Sequence, residues 1–96
     1  MIMMYDFPFI DNPQVKAKIM KILKRIENKH GKLRLISAKK GKGYGPGVVY
    51  YYYYSAINDR HLTIRLAICY SGDICAYYVI YYKNREIMMS RAFPIA

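Results

Sequence analysis

The spacing of apolar positions along this chain changes once, near residue 31. Between Pro13 and His30, Val15, Ile19, Ile22, Leu23 and Ile26 recur at steps of three and four, the spacing that lines one side of an α-helix. Lys18, Lys21, Lys24, Arg25 and Lys29 fall on the other side. Asn12 before Pro13 reads as an N-cap followed by proline at the first helical position, and Gly31 after Lys29 and His30 reads as a stop. The spacing therefore predicts an amphipathic helix over 13–30, preceded by an N-terminal segment, 1–12.

From Lys32 onward the period is two, the mark of half-buried strands. Strands are expected at 32–38, 47–57, 60–70, 74–83 and 86–93, with turns at Asn58-Asp59, Ser71-Gly72-Asp73 and Asn84-Arg85. Connections this short make neighbouring strands antiparallel. The expected fold is α+β: one N-terminal helix packed on a four- to five-stranded antiparallel meander sheet, spanning 32–93 within a single domain, 1–96.

Alternation fixes which residues share a face. Leu62, Ile64, Leu66, Ile68 and Tyr70 lie on one side of their strand; His61, Thr63, Arg65, Ala67 and Cys69 lie on the other. A two-residue turn at Asn58-Asp59 sets Tyr53 opposite Ile64 and Tyr51 opposite Leu66 on the core face. Tyr54 then stands opposite Thr63, Tyr52 opposite Arg65, and Tyr50 opposite Ala67 on the outer face. In the next hairpin a three-residue turn brings Tyr77, Val79, Tyr81 and Lys83 outward and sets Cys69 opposite Cys75. A two-residue turn brings out Tyr78, Ile80 and Tyr82 instead. Either way, tyrosines surround Arg65 on the outer face.

Charge changes the picture. Sixteen Lys and Arg against six Asp and Glu give a formal net charge of +10, and eleven of the cations fall between residues 16 and 42, where Glu27 is the sole acid. Such an excess strains the isolated monomer and is relieved by a polyanion, for which nucleic acid is the natural candidate. The segment 39–47, KKGKGYGPG, is expected to be a flexible basic loop in which glycines let the backbone approach phosphate while Lys39, Lys40 and Lys42 clamp it and Tyr44 stacks. It is not a nucleotide-binding P-loop, because it ends in Pro46-Gly47 before a strand.

Catalytic chemistry has little to work with. The acids are scattered, leaving no paired carboxylates for a metal-dependent nuclease, and Cys69, Cys75, His30 and His61 match no compact zinc spacing, so no cofactor or metal is expected. Cys69 and Cys75 are candidates for a cross-strand disulfide, of the kind that persists inside hyperthermophiles. A metal-free ribonuclease using His61, Arg65, a tyrosine and lysines needs only proton transfer and charge stabilisation, since RNA carries its own 2′-hydroxyl. Residues 70–93, YSGDICAYYVIYYKNREIMMSRAF, resemble the closing strands of the mRNA-cleaving RelE/HigB-type toxins, a resemblance that implies metal-independent RNA cleavage. The small size and Tyr/Ile/Lys-rich composition resemble products of hyperthermophilic archaea or their viruses.

The start, MIMMYDFPFI, is apolar but has no basic leader and no small-residue cleavage site, so it is expected to be part of a cytoplasmic protein. The functional expectation is a non-enzymatic protein that binds single-stranded DNA or RNA through Lys39, Lys40, Lys42, Tyr44, Tyr50, Tyr52, Tyr54, Arg65 and Lys83, with no membrane partner. Alternatives are the ribonuclease, or an interaction protein whose tyrosine face meets a partner or a second copy in a homodimer.

Overall fold

The computed structural model describes residues 7–41, 47–57, 60–69 and 74–95. Helix α1 (Pro13–His30) starts where the Asn12 side chain accepts hydrogen bonds from the backbone N–H groups of Gln14 at 2.9 Å and Val15 at 3.3 Å. It stops at Gly31, whose φ of 88° a side chain would resist and whose N–H donates to the Glu27 carbonyl. The Glu27 carboxylate accepts from the Leu33 N–H at 3.1 Å, which turns the chain into the first strand. The helix buries Val15, Ile19, Leu23 and Ile26 and exposes Lys18, Lys21, Lys24, Arg25 and Lys29.

Six strands follow: β1 (Arg34–Lys40), β2 (Val48–Ile57), β3 (Arg60–Cys69), β4 (Cys75–Tyr82), β5 (Arg85–Met89) and β6 (Phe93–Pro94). They form one antiparallel sheet in the order β1-β2-β3-β4-β5, with β6 paired to the other end of β4. The β2–β3 register is the expected one, with Ile57 opposite Arg60 and Tyr52 opposite Arg65. Cys69 lies opposite Cys75, as the longer turn requires.

The structure departs from expectation at three places, each set by a hydrogen bond or a backbone angle. The last hairpin turns at Lys83-Asn84, not Asn84-Arg85. Its φ values of 51° and 62° are the positive pair of a type I′ turn, which suits the twist of two flanking strands. The strand expected over 86–93 is two strands, because Ser90 accepts the Tyr78 N–H on its hydroxyl at 2.9 Å and donates its own N–H to the Tyr78 carbonyl. β1 runs later than 32–38 and takes in Lys39 and Lys40, which were expected in the loop; a bulge at Ile36 lets Leu35 pair with Tyr53 and Ser37 with Tyr52.

The core lies between helix and sheet. Ile19 and Leu23 from α1, Tyr51 and Tyr53 from β2, Ile64, Leu66 and Ile68 from β3, and Ile80 from β4 are fully buried in it. Phe7 and Ile10 close one end, where Phe7 meets the Tyr51 ring edge-on at 5.8 Å. The helix is pinned to β2 at its C-terminus as well: the buried Ser55 hydroxyl donates to the His30 carbonyl at 2.6 Å. No helix among the described residues is long and apolar enough to cross a membrane.

Two outcomes follow from this joint. Ser55→Ala removes this part-buried hydrogen bond and should cost about 0.5–1.5 kcal/mol in urea denaturation. His30 has its pKa lowered by burial, with repulsion from Lys29 and Arg60 adding to it, and its Nε2 is buried without a hydrogen-bond partner. The unfolded chain therefore takes up the proton more readily. The stability His30 contributes is complete above the ordinary histidine value of about 6.5 and is lost as the pH falls towards the lower folded value. The melting temperature should drop below about pH 6.5, and His30→Gln should flatten that drop.

Candidate nucleic-acid interface

Residues of the other parity cover the face of the sheet turned away from α1, and the registers arrange them in rows. Arg34, Tyr54, Thr63 and Tyr81 form one row; Ser37, Tyr52, Arg65 and Val79 the next; Lys39, Tyr50, Ala67 and Tyr77 the third. The five tyrosines are half-buried, while Ala67 and Val79 beneath them have no exposed surface. The rings therefore lean over their small neighbours and make a low aromatic layer.

Cations are held against the rings. The Arg65 guanidinium carbon sits 5.3 Å from the Tyr50 ring centre and 6.0 Å from that of Tyr81. Lys39 reaches diagonally to Tyr52 at 5.7 Å, and Arg34 covers Tyr54 at 5.4 Å. His61 stacks on Tyr54 with ring centres 5.7 Å apart, its Nδ1 paired with the Tyr54 hydroxyl. Such contacts are worth about 0.5–1 kcal/mol each where exposed, enough to fix ring orientation. Burial pushes the Tyr77 phenol above its ordinary pKa, with the Arg65 charge pulling the other way. Among the described residues of this face the one acid is Glu86, opposite Tyr81 at the β5 margin.

The expected site residues separate into three groups. Tyr50, Tyr52, Tyr54, Arg65 and Lys39 share the outer face. Lys40 stands opposite the buried Val49 and lies 5.3 Å from the ring of Phe9, and Lys83 sits in the last turn, 5.4 Å from Tyr82, which pairs with the buried Leu62. These two lysines point away from the tyrosine layer, because Lys40 falls on the other parity of β1 and Lys83 is in the turn, beyond the end of β4. Lys42 and Tyr44 lie outside the described residues. Cys69 and Cys75 are free thiols, near one another but not at disulfide distance, so the expected disulfide is not formed. Burial raises the Cys69 pKa, and the adjacent Cys75 raises it further through charge and a hydrogen bond, which keeps the thiol protonated.

Sequence reasoning passed over Arg34, Tyr77 and Tyr81 as site residues and took up His61 only for the alternative ribonuclease. Strand parity marks all of them except Arg34, whose position depends on the bulge in β1. Among the described residues no group of three His, Cys, Asp or Glu side chains could hold a metal ion. No protein-family model, curated protein or solved structure matches the chain.

Gly41 sets one border of the layer. Its N–H donates to the Val48 carbonyl, and an added Cβ would stand 2.8 Å from the Tyr50 ring. Gly41→Ala should displace that ring, changing the near-ultraviolet dichroism while costing about 1 kcal/mol of stability.

Proposed function

We propose that this protein binds single-stranded nucleic acid on its tyrosine face. The observation that carries the reading is the lattice of rings on one sheet face with Arg34, Lys39 and Arg65 set against them. Bases stack on exposed aromatic faces at about 1–3 kcal/mol each without regard to sequence, while cations beside the rings neutralise the phosphates. A duplex keeps its bases stacked inside, so a flat aromatic layer has most to offer an unpaired strand. The excess of cations supports the same reading through long-range attraction.

A second reading is favoured by the Tyr54–His61 pair beside Arg34. In it His61 accepts the proton of an RNA 2′-hydroxyl. The freed oxygen attacks the adjacent phosphorus, the 5′-oxygen leaves with a proton from solvent, and Arg34 offsets the charge gathered on the phosphate. Incubation of labelled RNA in EDTA decides the matter: cleavage that disappears in His61→Ala supports it, and intact RNA in a shifted complex supports binding alone.

Binding should be read by anisotropy of labelled single-stranded DNA and RNA across a salt series. Tyr52→Ala should lower affinity by about 1–3 kcal/mol with the salt slope nearly unchanged. Arg34→Ala with Lys39→Ala should instead flatten the slope, by roughly 0.7 for each phosphate no longer neutralised. No binding at low salt would remove this reading, and a Tyr52→Ala protein that changes its sedimentation instead of its affinity would mark the face as a subunit interface.

A further inference from the structure

Between α1 and the margin formed by β4 and β6 runs an open groove of about 850 Å³. Its floor is apolar, with Ile22, Tyr78 and Phe93 half-buried in it above the fully buried Ile26 and Ile95. Its rim is cationic. Lys18, Lys21, Arg25 and Lys29 succeed one another at steps of three, four and four residues, so they form one exposed stripe along α1, about 16 Å long at the helical rise. Arg91 also lines the groove, from the strand side, and among the described residues no acid does. The groove opens on the helix side of the sheet, so its cations are separate from those of the tyrosine face.

We infer that this groove receives an acidic amphipathic helix of a partner protein. The apolar floor favours an amphipathic occupant over a duplex phosphate backbone, which would engage the rim and leave Ile22, Tyr78 and Phe93 uncovered. The rim selects for a helix, because its cations repeat with the helical pitch of about 5.4 Å. Carboxylates four residues apart on a helix laid alongside α1 meet them turn by turn. Apolar residues at i, i+3, i+4 and i+7 of the same helix then enter the floor, as in helix-in-groove recognition. Charge brings the partner in, and the floor sets its orientation. None of this depends on nucleic-acid binding.

The probe is a fluorescein-labelled synthetic peptide of about 18 residues, with leucines at i, i+3, i+4 and i+7 and glutamates flanking them, titrated against the full chain. A scrambled peptide of the same composition serves as control. The amphipathic peptide should bind, gain helical dichroism on binding, and exceed the scrambled one in affinity by about ten-fold or more. Lys21→Glu with Arg25→Glu should weaken it by at least about ten-fold at an unchanged melting temperature, since both side chains are exposed. Lys21→Ala with Arg25→Ala should give a smaller loss, and Tyr52→Ala none. Equal affinity for the scrambled peptide, indifference to the charge reversal, or weakening by Tyr52→Ala would each overturn the inference. Displacement of the peptide by a single-stranded oligonucleotide would do so too, by giving the groove to nucleic acid.

Discussion

Everything in this molecule depends on sinking two phenols into a core otherwise almost wholly aliphatic, with Phe7 at one end. Tyr51 and Tyr53 have no exposed surface. A hydroxyl buried without a partner costs about 1–3 kcal/mol by mutational measures, a large share of what a domain this small has in reserve. Tyr51 meets that demand by donating to the carbonyl of Pro8. The bond draws residues 7–10 over the sheet and brings Phe7 and Ile10 into the core. The turn so formed holds Phe9 at φ 73°, a left-handed conformation that bulky side chains resist, with the residue 53% exposed. Burial also raises the Tyr53 pKa, and neighbouring Tyr51 adds to it, so the core phenol stays neutral through any physiological pH.

The same strand supplies the other face. With alternation fixed by the two buried rings, Tyr50, Tyr52 and Tyr54 have only the outward side to occupy. A run of five tyrosines is thus divided between two jobs by backbone geometry. The core phenols need fixed partners, and the outer ones keep polar tips near water. One helix covers one face of the sheet, and among the described residues no second helix covers the other. Small Ala67 and Val79 let the outer rings settle against the sheet, and the cations hold them there.

Much of this was legible from residue types and spacing. Asn12-Pro13 and Gly31 mark the helix ends because capping is local chemistry, and the β2–β3 register follows from one short turn and strict alternation. Features set by distant partners were not legible. The bulge at Ile36 shifts Lys39 and Lys40 relative to β2, so which of the two faces outward follows only from the structure. The break between β5 and β6 rests on Ser90 pairing with Tyr78, and no pattern in the sequence marks it. The groove beneath the lysines of α1 needs Phe93 and Ile95, brought alongside from the far end of the chain, so spacing within the helix does not reveal it.

The two edges of the sheet differ in a way that limits how copies can join. β1 carries Arg34, Lys39 and Lys40 exposed beside a bulge, both of which discourage another strand. β5 offers Ile87, Met88 and Met89, 47%, 36% and 56% exposed. In β6, Pro94 lacks a donor. Of the two edges β5 is thus the less guarded against strand addition, and a contact of β5 with β5 would close on itself with two-fold symmetry. A pair joined in that way would present like-charged β1 margins at both ends, so growth would stop at two chains and a strand-rich, strongly tyrosine-bearing sequence would be kept from forming an endless ribbon.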